Sequence, residues 1–535
     1  MTKFFITLGI LLSVGCTRKV TSANVNEKAS HVPNPITFAT PTPSPFATPT
    51  PWTSSFEREI TLPSPTSPLA FCRPAESNYN LAYCLNSLIR EKDAYPNQNW
   101  RISIAPGSHS LKDNVMVFGV QNLEIVGISD TGGRAPQLHS DGLPTSRLQY
   151  QYYTFLIANA VNVTVRNLEL FGENLGAQRG IAVCSLPGFV MDRITLRNLT
   201  FTDYQSYATI VGNGILEASL NDIAGYMSPG NPTQKFIDYL HNLTVPRVCS
   251  GEVRNLLFTE NLVKAKNVGF YLVPPTAKAT ENIVVDPPVA YGPNQVPGWY
   301  FAKDAFAARY SGIEVSHNRF ENATTGATEA QDNKFHSVLK LHGALGVRVI
   351  DNQVDLSTLP RNDTHVLIGI NLAAGLVGAI VQDNVITLPP NMLYPYAINI
   401  QSYFQGHDDY GFGDKKIFGP TIGTQINHNN VVNGVIRFSD CCVQEDAGSP
   451  DYRPYCRELD GLVGPRIMRE NISLNNNAQN GQTMRDANLI WRISQKESST
   501  AWFQGYVTRG QQGNGGIYCR QYMDVMVYSA DGSPR

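Results

Sequence analysis

The sequence contains few charged residues, and neither sign of charge is in excess. Charged residues make up 16% of the 535 residues, and the formal net charge is -2. A nucleic-acid-binding chain would carry a basic excess, so the composition argues against that class. No two CxxC pairs occur, which argues against a zinc ribbon. Hydrophobic residues at 42% are ample for a core, so most of the chain is expected to fold.

The first residues, MTKFFITLGILLSVGC, have the organisation of an export signal. Lys3 supplies the positive start, and the apolar stretch 4–12 is too short to remain in a bilayer as a helix. The end of this segment resembles the bacterial lipobox, with Gly15 before Cys16 and Ser13 in place of the usual aliphatic residue. The resemblance implies that residues 1–16 are a lipoprotein signal peptide and that Cys16 carries a lipid, including palmitate. An ordinary secretory signal is the alternative.

Residues 17–70 read as a tether. They contain ATPTPSPFATPTPW and TLPSPTSPLAF, and such Thr/Pro/Ser runs favour extended polyproline II. We therefore expect an exported chain, anchored by its lipid at the bacterial outer membrane or cell surface. Beyond the leader, no segment has 18 uninterrupted apolar residues.

Nine cysteines occur, and setting aside Cys16 leaves eight. An even number in an exported chain predicts up to four disulfides. The local candidates are Cys72 with Cys84, and Cys456 with either Cys441 or Cys442.

A short pattern of apolar residues recurs through the body of the chain. It combines alternation at period two with a central Leu, Ile or Asn, which predicts short strands split by a bend. The copies begin at Leu123, Val163, Ile194, Leu256, Ile313, Val347 and Ala379, and weaker copies lie in 425–432 and 466–474. Asn-Gly hairpin signals between alternating runs are rare, which disfavours a β-sandwich.

Asparagine occupies the centre of the later copies, at Asn261, Asn318, Asn352 and Asn384. Asparagine tolerates a left-handed bend and hydrogen-bonds backbone groups, so stacked coils would align these side chains into an internal ladder.

The stretches NVTVRNLEL, GVRVIDNQVDL and GAIVQDNVITL resemble the right-handed parallel β-helix superfamily typified by pectate lyases. The resemblance implies an all-β chain with a single parallel β-helix over residues 100–475. Residues 71–99, with a helix over 80–92, resemble the N-terminal cap of these proteins, and residues 476–535 are expected to form a C-terminal β cap.

Outward-facing side chains of a β-helix stack coil over coil, about 4.8 Å apart. In 337–343 and 366–372 we expect Leu339, Leu341, Ile368 and Ile370 to face inward. The expected outward strip has His342, Asn371 and Gln401 in one row, beside Lys340 and Asn399, with Arg437 continuing it.

This strip suits an acidic polysaccharide. A polysaccharide lyase needs a base for the proton beside the uronate carboxylate and a cation to neutralise that carboxylate. Lys340 or Arg309 would neutralise, and His342 or Lys340 would abstract. The alternative is that these side chains are only solvated surface residues.

Two loops offer further candidates. GHDDYGFGD (406–414) contains His407, Asp408 and Asp409, which suit a glycosidase acid/base pair or a Ca²⁺ site; a polar turn is the alternative. TEAQDNKFH (328–336) offers Glu329 and Asp332 in a similar setting, together with His336. The sequence identifies no certain cofactor, and Ca²⁺ is the candidate ion.

The segment KLHG (340–343) resembles LRHG of the alginate and chondroitin lyase family, but Leu341 stands where that family has arginine. Two hypotheses follow. The β-helix either binds glycans or surface partners without catalysis, or acts as a lyase or glycosidase on an acidic polysaccharide. The fold hosts both classes and does not choose between them.

Overall fold

The computed structural model describes the chain in segments. These are residues 55–62, 80–140, 153–172, 179–212 without 187 and 205–206, 249, 251–273 without 266–267, 310–322, 335–358, 366–390 without 375 and 377, 394–404, 424–444, 472–483, 503–506 and 516–524.

Strands dominate these segments, with one helix near their start. In the first half the elements are β1 (Arg58–Leu62), α1 (Leu81–Asp93), β2 (Trp100–Ile104), β3 (Ser108–Ser110), β4 (Val115–Phe118), β5 (Gln121–Gly127), β6 (Gln137–His139), β7 (Tyr153–Ala158), β8 (Val161–Phe171), β9 (Arg179–Cys184), β10 (Val190–Thr202), β11 (Tyr207–Gly212), β12 (Glu252–Thr259), β13 (Leu262–Ala265) and β14 (Val268–Val273). In the second half they are β15 (Tyr310–Ser316), β16 (Arg319–Asn322), β17 (Phe335–His342), β18 (Arg348–Ile350), β19 (Gln353–Asp355), β20 (Val366–Ala374), β21 (Ile380–Gln382), β22 (Val385–Thr387), β23 (Tyr394–Phe404), β24 (Thr424–Asn427), β25 (Asn430–Val432), β26 (Val435–Gln444), β27 (Ile472–Asn475), β28 (Ala478–Gln479), β29 (Gln482–Thr483), β30 (Phe503–Tyr506) and β31 (Gly516–Asp524).

The strands stack into coils and form two long sheets. Sheet B runs β4-β7-β9-β11-β14-β17-β20-β23-β26, and every neighbouring pair in this run is parallel. Sheet A contains two rows of parallel strands. The strands β8 and β10 are long enough to pair with strands of both rows, and so they join the rows into one sheet. In the parallel rows each strand pairs with strands of adjacent coils, whereas β28–β29 and β30–β31 are antiparallel pairs of strands that follow each other in sequence. The predicted all-β parallel β-helix is therefore confirmed.

The interior is a continuous apolar stack from Leu62 to Ile436. The inward positions of the repeat form it, as period two predicts, and Leu339 and Leu341 are fully buried. Ile128, which follows Leu123 and Ile125 in the first copy of the repeat and was expected in the core with them, is 41% exposed. A Cβ at the preceding Gly127 would lie 2.0 Å from the Asn167 carbonyl oxygen, so the coil has turned away from the core before Ile128.

The predicted asparagine ladder is present and longer than expected. Each side-chain Nδ2 donates to the Oδ1 of the asparagine in the next coil at 2.9–3.0 Å. Each also donates to a backbone carbonyl of the preceding coil, as Asn318 does to Phe258 at 2.9 Å. The ladder consists of Asn261, Asn318, Asn352, Asn384, Asn429 and Asn477, and all six side chains are buried. Leucines 168 and 199 hold the same position in the earlier coils.

The left-handed bend lies one residue earlier than predicted in the later coils. Glu260, His317, Asp351 and Asp383 have φ between 52° and 57°, and each directly precedes a ladder asparagine. At other bends asparagine itself takes the left-handed conformation, as at Asn167 with φ 56° and at Asn476, directly before the ladder residue Asn477, with φ 51°. The later ladder asparagines therefore hydrogen-bond across coils, while the preceding residue takes the strained backbone.

Elements at both ends cover the coils. Helix α1 starts at Asn80, whose side chain accepts from the backbone N of Ala82 at 3.1 Å, and it packs an apolar face on the first coil. β1 lies within the segment predicted to be a tether, yet it pairs in parallel with β2. The reason is local, because the segment Arg-Glu-Ile-Thr-Leu alternates polar and apolar residues and contains none of the prolines that occur before and after it. At the other end, β30 and β31 pair antiparallel, and β31 pairs antiparallel with β26.

Disulfide bonds are present in the described residues. Cys184 bonds to Cys249 across a separation of 65 residues, a pair that the sequence did not suggest. Cys84 is also disulfide-bonded, while its predicted partner Cys72 lies outside the described residues.

The ladder supplies the first testable prediction. Asn352→Ala removes the Oδ1 that accepts from the backbone N and the Nδ2 of Asn318, and removes the donor to Asn384. Because buried polar groups are left without partners, we expect the free energy of unfolding to fall by about 2–4 kcal/mol. The exposed neighbour Gln353 is the matched control, and Gln353→Ala should change it by less than about 0.5 kcal/mol. Urea unfolding measures both, and equal losses would contradict the role given to the ladder.

Candidate functional site

The outer face of sheet B carries the side chains that sequence analysis selected. Lys340 is in register with Tyr271 of β14 on one side and with Asn371 of β20 on the other. Asn371 is in register with Asn399 of β23, and Asn399 with Arg437 of β26. One outward column therefore contains the predicted binding positions Lys340, Asn371, Asn399 and Arg437.

Two details of the predicted strip are wrong. A register shift between Leu341 and His342 places His342 beside Ala374, and Gln401 pairs with Ser439, so His342, Asn371 and Gln401 do not form one row. Ile368 does not join the main core; it packs in a separate cluster with Tyr396. Both errors arise because the prediction assumed a strict alternation of inward and outward side chains along strands whose backbone is irregular.

The strip predicted from the sequence is mostly buried rather than solvated. His342, Asn371 and Asn399 are 8%, 2% and 4% exposed, and Lys340 is half-buried. Asn399 Nδ2 donates to Asn371 Oδ1 at 2.9 Å, so these two residues form a buried amide pair. An ordinary exposed β-helix face would not bury polar side chains in this way.

Tyr271, which sequence analysis missed, lies between Lys340 and His342. Lys340 Nζ is 5.0 Å from the centroid of the Tyr271 ring, and the His342 ring approaches that ring edge-on at 5.7 Å. Burial lowers the pKa of His342 well below its usual 6.5, and the charge of Lys340 lowers it further. His342 is therefore a neutral imidazole at neutral pH, beside a cation held against an aromatic ring.

A second cation lies earlier on the same face. The Arg179 guanidinium is 5.3 Å from the ring centroids of both Tyr153 and Tyr207, and it donates to the Tyr153 hydroxyl. Burial raises the pKa of Tyr207, and Arg179 opposes that shift. Tyr207 stacks on Tyr271 at 5.2 Å, which links the two cations through one aromatic series.

We call Tyr153, Arg179, Tyr207, Tyr271 and Lys340 the cation–tyrosine strip. Its members lie on β7, β9, β11, β14 and β17, which are successive strands of sheet B. Only Lys340 was predicted. Tyr207, Tyr271 and Lys340 are separated by 64 and 69 residues, so the proximity of the five side chains is visible only once the coils are stacked.

Apolar residues surround the early part of the strip. Met116, Leu156, Ala182 and Ile210 occupy the same outward column as Tyr271, and all four are buried. The Cys184–Cys249 disulfide belongs to this second apolar cluster. The outer face thus changes along the solenoid, from aliphatic to aromatic and cationic and then to amide.

Several predicted residues fall outside the described part of the chain. These are Arg309, Glu329, Asp332, His407, Asp408 and Asp409, so their roles stay predictions. For His336, Gln401 and Arg437 the structure gives strand positions only.

A separate polar column follows the left-handed bends of sheet A. His317 Nδ1 lies 2.8 Å from Asp351 Oδ2, and His428 Nδ1 lies 3.8 Å from Asp383 Oδ1. An open groove of about 470 Å³ lies beside this column. Within the residues that the structure describes, no group of three or more His, Cys, Asp or Glu side chains could hold a metal ion.

Comparison with known proteins gives similarity of fold only. No protein-family model matches the chain, and no curated protein matches it. Among solved structures, a mutant of DFA-IIIase from Arthrobacter chlorophenolicus A6 is 11% identical, with 80% of this chain and 93% of that chain covered and a TM-score of 0.35.

Two further solved structures are similar at the same level. PfbA, a surface adhesin of Streptococcus pneumoniae, is 9% identical over 78% of this chain and 92% of its own, with a TM-score of 0.26. The A-module of the Azotobacter vinelandii mannuronan C-5 epimerase AlgE6 is 10% identical over 78% and 98%, with a TM-score of 0.26. Scores this low support no transfer of activity or substrate to this chain.

The lowered pKa of His342 predicts how stability depends on pH. Since the folded state disfavours the imidazolium, the unfolded state binds more protons below about pH 6.5, and stability falls as the pH drops. We expect a loss of about 1.4 kcal/mol per pH unit from this residue until the folded-state pKa is reached. This pH-dependent loss in the free energy of unfolding should be absent in His342→Gln.

The measurement is the free energy of unfolding at several pH values between about pH 7.5 and about pH 5, a range in which both the folded and the unfolded state must stay measurable. The pKa of His109 is also lowered by burial, so the quantity compared is the difference between wild type and variant. His317→Gln, at an exposed position of the other sheet, is the control and should keep the full slope. An unchanged slope in His342→Gln would contradict the assignment.

Proposed function

We propose that the outer face of sheet B binds an extended acidic polysaccharide. The observation that carries the proposal is the cation–tyrosine strip, which places Lys340 and Arg179 against tyrosine faces on successive coils. Strands of neighbouring coils lie about 4.8 Å apart, so the strip follows a linear polymer across the coils. Aromatic faces pack on the apolar faces of sugar rings, and Lys340, the half-buried cation, would pair with a carboxylate.

The geometry of the strip supports binding in two ways. Its cations and rings are held by packing, which reduces the entropy lost when a ligand binds. Tyr207 and Lys340 are half-buried while Tyr271 and Arg179 are buried, so the first two form the accessible edge. The amide pair Asn371–Asn399 would continue the contact by hydrogen bonding, and Arg437 has the register position to extend it.

We also propose that the chain is exported and lipid-anchored at Cys16, facing the outer membrane or cell surface. The resemblance of residues 1–16 to a lipoprotein signal supports this, as does the Cys184–Cys249 disulfide, since disulfides persist in oxidising compartments. The Thr/Pro/Ser-rich residues before β1 would then act as the tether. In the described part of the chain, no helix has the length and apolar character needed to span a membrane.

Binding is testable with residues 17–535, which omit the leader but retain β1. We expect this chain to bind polyuronates in preference to neutral glucans in affinity electrophoresis. Lys340→Met should weaken polyuronate binding by about tenfold or more, equivalent to about 1.4 kcal/mol, because the cation is lost while much of the side-chain volume remains.

Lys264→Met is the matched control, since Lys264 is a partly buried lysine of sheet A that lies 3.8 Å from Glu321. It should leave affinity unchanged. Equal binding by both variants, or equal binding of neutral and acidic polymers, would contradict the proposal.

A lyase acting on the same polymer is the second candidate. His342 favours it, because a buried neutral imidazole beside Lys340 can accept a proton. Lys340 would neutralise the uronate carboxylate, and His342 would take the proton from the adjacent carbon. The electrons of that C–H bond would form a carbon–carbon double bond as the glycosidic C–O bond breaks, and the departing oxygen would take a proton from water. A glycosidase would instead need two carboxylates, and the predicted acids Asp408 and Asp409 lie outside the described residues.

The lyase hypothesis predicts unsaturated products that absorb in the ultraviolet. His342→Gln should lower the turnover rate by about 100-fold or more while polyuronate binding persists. His317→Gln, far from the strip in register, should keep full activity. If the polymer is bound but no unsaturated product forms with any polyuronate, binding without lyase activity remains the function; if His342→Gln keeps the activity, His342 is not the base.

A further inference from the structure

The last strand of the parallel stack in sheet B is covered by a strand from the C-terminal region. β26 pairs in parallel with β23 on one side and antiparallel with β31 on the other. In this antiparallel pair, Cys441 is directly in register with Cys519, and Cys442 is in register with Tyr518. The sequence had suggested Cys456 as the partner of either Cys441 or Cys442.

We propose that Cys441 and Cys519 form a disulfide that fastens the C-terminal β31 to the end of the solenoid. Directly opposed residues of antiparallel strands have Cα atoms about 4.5–5.5 Å apart and share one face of the sheet. Disulfides span Cα separations of about 4.4–6.8 Å, so this register position meets the requirement. Cys442 is one position along β26 and therefore belongs to the opposite face. With Cys441 assigned to Cys519, Cys442 is the remaining candidate partner of Cys456.

The chemistry is an ordinary thiol–disulfide exchange. The two thiols lose two protons and two electrons, and the oxidant is the disulfide of a protein oxidase, which is reduced to its dithiol. The bond that forms is Sγ–Sγ between Cys441 and Cys519, through a mixed disulfide with the oxidase. The Cys184–Cys249 bond requires the same oxidising compartment, so no further condition is introduced.

The cross-link would act at the point where a parallel stack is most vulnerable. The final strand of a sheet exposes unpaired N–H and C=O groups, which promote pairing with other chains. Residues 445–515, which include β27 to β30, separate β26 from β31 in sequence. The antiparallel pair therefore brings together two strands that are far apart along the chain. A covalent bond between the paired strands would keep β31 on this edge.

Tryptic mapping of the complete exported chain tests the bond. Free thiols are alkylated without reduction, and trypsin, which does not cut between Arg453 and Pro454, gives 438–457 with Cys441, Cys442 and Cys456 together. The peptide 510–520 carries Cys519 alone. We expect these two peptides to appear cross-linked in the mass spectrum and to separate on reduction. Recovery of 510–520 with alkylated Cys519 would overturn the proposal.

Two paired variants identify the cysteine within 438–457. In C442S/C456S only Cys441 remains, and the cross-link to 510–520 should persist. In C441S/C456S only Cys442 remains, and both Cys442 and Cys519 should be alkylated. The reverse pattern would overturn the assignment. In the wild-type chain, electron-transfer fragmentation of the cross-linked peptide between residues 441 and 442 also identifies which cysteine is bonded to Cys519. The test therefore does not depend on either variant folding.

Discussion

The asparagine ladder is the interaction on which the rest of the structure depends. A solenoid coil has no hairpin to fix its position, and a slip of one residue would exchange its inner and outer faces. From Asn261 to Asn477 each side-chain amide binds the coils on both sides, so one buried column sets the register of the later coils. Because this column is buried, a coil that slipped would leave amide and backbone groups without partners.

Correct register in sheet A determines what is assembled on sheet B. The strands of both sheets belong to the same coils, so aligning one set aligns the other within the freedom of the connecting loops. This is how Tyr207 is placed against Tyr271 although 64 residues separate their numbers in the sequence. The ladder begins at Asn261, so it aligns the coils that carry Tyr207, Tyr271 and Lys340, whereas Tyr153 and Arg179 belong to earlier coils that contain no ladder asparagine.

Much of the fold was predictable from the sequence, because the repeat is local and chemically strict. Period two gave the inward positions Leu339 and Leu341, and the central asparagines gave the ladder. The candidate site was only partly predictable, since Lys340, Asn371 and Asn399 follow from the same alternation. The register shift at His342 leaves no trace in the residue pattern. Tyr153, Arg179 and Tyr207 are 26 and 28 residues apart, but Tyr271 follows 64 residues after Tyr207, and this unequal spacing conceals the contact between the two groups in the linear sequence.

Stability alone does not account for the residues on the outer face of sheet B. Earlier coils show that this column is compatible with aliphatic residues, as at Leu156 and Ile210, which are fully buried. Burying Arg179, which is in register with Tyr153 and Tyr207 rather than with this column, costs several kcal/mol of desolvation, whereas each tyrosine face returns only about 0.5–2 kcal/mol. Replacing buried charges with apolar side chains is often neutral or stabilising. In the described coils the core cluster consists of apolar and aromatic side chains, while the outer face of sheet B changes to cations, tyrosines and amides. The buried cations of the outer face are therefore not explained by the stability of the fold alone.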